Sequence, residues 1–213
     1  MTERTSLITT IQQTAFGKIR KDYSHLAYHN LSHTEFVLKS ALELAMDQNL
    51  PESERELLTL AASAHDVIQD HNPLTPNYNA DNERESGEWL TAQMKQHPDV
   101  FSDNDFYRIP IIINATYVKH REDGLKQSAL TGHQLSELLC DADLAALGSP
   151  WNIYEPNMRA YYQELHPNGT DENWKNYLKL QVPILLQHHY YTQEAQERFC
   201  HLRENAEKVE GML

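Results

Sequence analysis

Apolar residues recur three and four positions apart along most of this chain, a spacing that lays a stripe down an α-helix and that a strand, with its period of two, cannot use. Residues 5–20 carry Leu7, Ile8, Ile11, Ala15 and Ile19. Phe36, Val37, Ala41, Leu44 and Ala45 form a second stripe that stops near Pro51. Ser53 followed by Glu56 reads as a capping box for a helix holding Leu57, Leu58, Ala61, Ala64 and Ile68. Composition points the same way: twenty-six leucines and seventeen alanines stand against six valines, and only seven residues are glycine. Unbranched side chains keep rotamer freedom on a helix, whereas β-branched ones favour sheet.

The remaining segments follow suit. The stretch 71–79, with two prolines and three asparagines, reads as a loop. A helix with Trp89, Leu90 and Met94 follows and ends at His97-Pro98. The spacing of Phe106, Ile109, Ile112, Ile113 and Val118 predicts a helix over 103–119, with Pro110 either in its first turn or kinking it. A further helix runs from Gly132 to Leu147 and is stopped by Gly148-Ser149-Pro150. Two aromatic-rich helices, Trp151–Leu165 and Trp174–Tyr191, are separated by a turn at 166–173 and followed by a polar helical tail. No repeat, low-complexity stretch or linker interrupts the pattern, so the expectation for residues 1–213 is a single all-α domain, a helical bundle.

The net charge of −13 comes without an offsetting basic stripe, which argues against binding to nucleic-acid polymers. It does not exclude a small anionic substrate, because a metal and a few local cations can reverse the field inside a cleft. Two cysteines, Cys140 and Cys200, are too few for a disulfide framework. The N-terminus has no apolar leader segment and no run approaches the roughly 18 apolar residues of a membrane span. A cytoplasmic protein without membrane contact is expected. Oligomeric state is not legible.

Against this background four chemistry-bearing residues stand out. His33, the adjacent pair His65-Asp66, and Asp143 each sit at the inward edge of a helical stripe. His33 lies three and four residues before Phe36 and Val37, His65 four after Ala61, and Asp143 four after Leu139. Burying both carboxylates is costly without a compensating cation. Two imidazoles and two carboxylates suit a divalent ion with positions left open for water and substrate, and tolerate Mn, Fe, Co, Ni, Zn or Mg.

The segments YHNLSH (28–33), AASAHDVIQD (61–70) and CDADLAALG (140–148) resemble the three signature segments of the HD-domain superfamily of metal-dependent phosphohydrolases. They are closest in pattern to a bacterial branch of predicted phosphohydrolases. NERESG (82–87) is similar to that branch's Asn-Glu-x-x-Ser-Ala segment, with Gly87 in place of alanine. The resemblance covers most of the chain and implies a helical bundle of the HD-domain type with His33, His65, Asp66 and Asp143 as ligands. It prefers Asp143 to Asp141 because of the Ala142-Asp143-Leu144 context; Asp141, roughly 200° away round the helix, would make a contact behind the site or at the surface. Two positions depart from the branch. Gln69 stands where it often has tyrosine, and Tyr161 stands two after Arg159 where a glutamate is expected.

Other residues are candidates for supporting roles. His29 and Asn30 either orient His33 or simply open its helix. Glu83 and Ser86 share a helix face after the loop that follows Asp66, where Glu83 would either handle a proton or favour the helix dipole. Thr116, His120 and His133 would matter for a second metal, and Lys119, Arg121 and Lys126 are the one local concentration of positive charge. His188-His189-Tyr190-Tyr191 reads as a helix end with aromatic packing, and Cys140 as a buried structural thiol.

The expected function is hydrolysis of a phosphomonoester or phosphodiester on a small, nucleotide-like substrate. The ion would activate water, and Asp66 or Glu83 would relay the proton. The substrate class comes from the resemblance; the spacing speaks only for a metal site. Two alternatives carry different chemistry: a di-iron oxygenase of the same fold, which would need His120 or His133 on the metal, and a non-catalytic metal- or nucleotide-binding module.

Overall fold

The computed structural model describes residues 2–69, 81–121, 124–129 and 132–213, with the side chains of 119–121, 124 and 125 excepted. The loop expected at 71–79 lies outside these residues. Among them the chain forms α1 (Glu3–Tyr23), α2 (Leu31–Asp47), α3 (Glu52–Ala64), α4 (Asn82–Met94) and α5 (Asp103–Asn114). A short antiparallel hairpin, β1 (Lys119–Arg121) and β2 (Gly124–Lys126), follows and pairs Lys119 with Lys126. Then come α6 (Gln134–Asp143), α7 (Trp151–Leu165), α8 (Asp171–Gln187), α9 (Gln193–Arg198) and α10 (Leu202–Glu210). The fold is all-α, as the periodicity requires, and the hairpin is its one small exception. No described helix is long and apolar enough to cross a membrane.

The stripes read from sequence form the core. Ile8, Ile11, Ala15 and Ile19 of α1, Val37, Ala41, Leu44 and Ala45 of α2, and Leu57, Leu58 and Ala61 of α3 are buried in one cluster with residues of α4, α5 and α6. Helices α2, α3 and α6 all pack on one another. A second cluster joins Tyr154 and Met158 of α7 to Tyr177, Leu178 and Leu185 of α8 and Val209 of α10. Helix α2 ends in a Schellman motif: Asn49 takes φ 54°, Leu50 N–H donates to the Ala45 carbonyl at 3.0 Å and Asn49 N–H to that of Met46 at 2.9 Å.

Several boundaries differ from expectation, each for a local reason. The helix predicted over 103–119 stops at Asn114. In a continuing helix the Ala115 carbonyl would accept from residue 119; here it accepts from Ser128 N–H at 2.8 Å and the Cys140 thiol at 3.2 Å. Pro110 lies inside α5, past its first turn. Helix α3 has no Ser53–Glu56 box. Pro51 precedes it without a side-chain cap, and Glu56 is drawn instead to Arg4 at 3.0 Å and Thr5 at 3.1 Å. Helix α6 ends at Asp143 rather than Leu147, and α8 at Gln187 rather than Tyr191, where His188 turns to an extended conformation. The polar tail is helical, as α9 and α10.

Gly87 sits where α4 crosses α5: a Cβ there would lie 3.1 Å from the Pro110 Cα, so the two helices approach more closely than a larger residue would allow.

Leu58 is fully buried in the principal cluster, between helices that leave little room to collapse. Leu58→Ala is expected to cost about 2–5 kcal/mol. Denaturant unfolding checks this, with a loss below about 1 kcal/mol meaning that the α1–α3 packing is looser than described.

Candidate metal centre

His33 occupies the first turn of α2, whose N-cap is Asn30: its side chain accepts from Ser32 N–H at 2.9 Å and donates to the Leu26 and Ala27 carbonyls. His65 and Asp66 follow immediately after α3, and Asp143 is the last residue of α6. Because these three helices pack together, the four side chains meet at one end of the bundle.

His33 Nε2 lies 3.3 Å from Asp143 Oδ1 and 3.4 Å from His65 Nε2, and His65 Nε2 lies 3.6 Å from Asp143 Oδ1. This trio could hold a metal ion. Asp66 Oδ2 approaches the same two nitrogens to 3.3 and 3.2 Å. Donors about 2.1 Å from a shared ion are separated by about 3.0–3.4 Å in octahedral or tetrahedral geometry, so the trio's spacing of 3.3–3.6 Å is close to what one divalent cation requires. Two further observations fit. Asp66 Oδ2 is buried with no hydrogen-bond partner. His65 Nδ1–H donates to the Ala62 carbonyl at 2.8 Å, which turns Nε2 and its lone pair toward the cluster.

Electrostatics tells the same story for the metal-free cluster. Burial by itself would push both imidazoles down, yet Asp143 and Asp66 raise His33 and carry His65 well above its ordinary 6.5. Burial would likewise raise the two carboxyls, but the imidazoles hold both below the usual range, Asp66 most strongly. Protons on the imidazoles thus stand in for a cation.

The residues around this cluster divide clearly. Glu83, in the first turn of α4, is half-buried; burial and then the charges of Asp66 and Asp143 push its carboxyl up to about 7. Its neighbours in NERESG are structural. Ser86 Oγ accepts from Ile68 N–H at 3.1 Å, and Asn82 donates to Gln69 at 3.1 Å. Gln69 in turn donates to Asp66 Oδ1 at 2.7 Å. Tyr28 packs on His33, with ring centroids 4.6 Å apart. His29 stands edge-on to His33 at 5.8 Å, with its Nδ1 2.5 Å from Glu164 Oε1. Glu164 Oε2 also accepts from the backbone N–H groups of Tyr28 and His29 at 2.7 and 2.9 Å. Burial would raise Glu164, but these bonds, led by that from His29, bring it to about 2.

Glu164 and Gln127 are the residues that sequence reasoning missed. A glutamate was sought at position 161; the carboxylate appears at 164, three residues on and so on the same helix face. Tyr161 is beside it, 5.8 Å from the His29 ring. Gln127 donates to Asp143 Oδ2 at 2.9 Å from an irregular stretch with no periodicity to flag it.

Other expectations resolve as follows. Asp141 is not a ligand and not at the surface. It is 1% exposed and accepts from Tyr191 N–H, Thr192 N–H and the Thr192 hydroxyl at 2.7, 2.9 and 2.6 Å, tying α6 to the start of α9. His133 caps α6, accepting from Ser136 N–H at 3.3 Å. Thr116 is buried and donates to the Ile113 carbonyl at 2.8 Å. The side chains of Lys119, His120 and Arg121 lie outside the described residues, and Lys126 is exposed. His188 is buried edge-on against Tyr190 at 4.5 Å, and burial lowers it to about 4. Cys140 is buried, and burial raises its thiol well above the ordinary value.

In the metal-free folded protein the two imidazoles bind protons more tightly than in the unfolded chain. That contribution is complete at and below pH 6.5 and is lost as pH climbs through the raised values. Thermal unfolding of chelator-treated protein should therefore show a falling midpoint above pH 6.5, and a divalent cation should restore it while releasing protons. A midpoint that rises with pH, or ignores cations, would contradict the coupling described.

A search against models of known protein families finds no match for this chain, and no curated protein matches it. What can be said of its chemistry comes from these residues and their geometry.

Proposed function

We propose that this chain is a metal-dependent phosphohydrolase of the HD-domain superfamily, acting on a small phosphomonoester or phosphodiester of nucleotide-like character. The observation that carries the reading is the convergence of His33, His65 and Asp143 from three helix ends, as a group that could hold a metal ion, with Asp66 Oδ2 approaching the same two imidazoles. His33, His65, Asp66 and Asp143 would hold the ion. When bound, it supplies charge for a phosphoryl oxygen and makes a water more acidic.

The chain's own groups provide the rest. Glu83, poised at about 7 beside Asp66 and Asp143, can take up and return a proton near neutral pH. Each oxygen of Asp66 is already engaged, Oδ1 by Gln69 and Oδ2 by its place among the ligand nitrogens, so Glu83 is the better proton acceptor of the two carboxylates proposed. Glu164 holds His29 through its Nδ1, the way a carboxylate fixes an imidazole for proton transfer, and His29 is proposed to serve the leaving oxygen. Half-buried Tyr28 packs on His33, and half-buried Tyr161 stands edge-on to Tyr28 and His29. His133 is committed to capping α6, so the oxygenase alternative would have to draw its additional histidine from His120, whose side chain lies outside the described residues.

Glu83→Gln should leave metal content intact and lower turnover of a productive phosphoester by roughly 10²-fold or more. Unchanged turnover would return Glu83 to a helix-dipole role.

Asp66→Ala should abolish phosphate release and lower metal occupancy while the fold survives, since the core stripes pack independently of the ion. Metal content, phosphate release and thermal unfolding on the same preparations decide it. A variant that releases phosphate as fast as wild type defeats the mechanism. Wild type that binds metal but turns over no phosphoester favours the binding-module reading.

A further inference from the structure

Asp66 and Asp143 come from different helix ends, yet their carboxylates are treated alike. Each turns one oxygen to the imidazole pair: Asp66 Oδ2 lies 3.2 Å from His65 Nε2, and Asp143 Oδ1 lies 3.3 Å from His33 Nε2. Each has its other oxygen taken by a glutamine amide, Asp66 Oδ1 by Gln69 at 2.7 Å and Asp143 Oδ2 by Gln127 at 2.9 Å.

Both amides are themselves oriented. Gln69 Oε1 accepts from Asn82 Nδ2 at 3.1 Å, which leaves its NH₂ group for Asp66. Gln127 Nε2 also faces the Thr116 carbonyl at 3.4 Å, which only a donor would do, and the backbone carbonyl of Gln127 accepts from the Tyr191 hydroxyl at 2.8 Å, which anchors the residue's main chain. Gln127 is buried, so a substitute has no water to replace the lost bond.

An outward oxygen that accepts from an oriented amide is held turned away from the imidazole pair, which favours the inner oxygen as the one offered to an ion. We propose that Gln69 and Gln127 are positioning residues that favour Asp66 and Asp143 as one-oxygen ligands, and so, on a six-coordinate ion, keep two coordination positions open for solvent or substrate. The proposal rests on the metal reading above. Freed of its amide, either carboxylate would swing to chelate through both oxygens and close one position. A carboxylate's preference for two-oxygen binding is shared by many divalent ions, so the glutamines set the number of open positions rather than the identity of the ion.

The test uses Mn²⁺ as the probe, with wild type, Gln69→Met and Gln127→Met, which keep chain length and approximate volume but cannot donate. Water-proton relaxation and the electron paramagnetic resonance spectrum of bound Mn²⁺ count exchangeable waters, and thermal unfolding is followed on the same samples. Each variant is expected to bind one Mn²⁺ with one exchangeable water fewer than wild type. Gln69→Asn and Gln127→Asn, which withdraw the amide by one methylene, give the same reading if a methionine variant does not fold. Folded variants with the wild-type water count and affinity overturn the positioning role while leaving the metal site standing. Wild type that binds no Mn²⁺ or other divalent cation overturns both.

Discussion

Two carboxylates and two imidazoles share one small volume at the ends of α2, α3 and α6, and much of the surrounding structure is arranged around the cost of that crowding. Like charges so close destabilise each other, and burial removes the water that would screen them. Protons on His33 and His65 offset the repulsion in the absence of a cation, and a divalent ion does so more completely. The amides of Gln69 and Gln127 take up the outward oxygens, so that neither carboxylate is left with two unmet acceptors.

The geometry is possible only because the helices end where they do. Adjacent residues on a helix point about 100° apart, so His65 and Asp66 could not both serve one ion from a continuous helix. Helix α3 ends at Ala64, and the turn after it lets both side chains reach the same point. Ser86 and Tyr23 then hold that turn, the Ser86 hydroxyl accepting from Ile68 N–H at 3.1 Å and the Tyr23 hydroxyl from Gln69 N–H at 3.0 Å. Asp143 is placed likewise, at the last residue of α6.

This explains what could and could not be read from sequence. The stripes of α1, α2 and α3 were legible because a helix face is set by spacing within a few residues. The inward placement of His33 and Asp143 follows from the same rule. Boundaries set by distant partners were not legible: Asn114 ends α5 because Ser128 and Cys140 capture the Ala115 carbonyl, and Glu56 leaves its own helix start for Arg4. Gln127 and Glu164 escaped for a related reason. Each acts across 16 to 135 positions of sequence, on Asp143 and His29 respectively, and neither carries a local pattern that distinguishes it. Gln69, which stands where the pattern the sequence resembles often has tyrosine, is part of the hold on Asp66.

The charge distribution also bears on the order of events that the proposed reaction would follow. Helices α3 and α6 both present their C-terminal ends, with their partial negative charge, to a cluster that already holds Asp66 and Asp143. Glu83 adds a third carboxyl nearby, raised to about 7 by burial and by the charges of Asp66 and Asp143. A phosphoester is itself an anion and meets repulsion in that field until a cation reverses it. On the phosphohydrolase reading the ion is therefore the first ligand and the substrate the second, and the protein's net charge of −13 ceases to argue against an anionic substrate once the centre is loaded. On that reading, the field that would draw a divalent cation into the bundle end also makes substrate binding conditional on the ion.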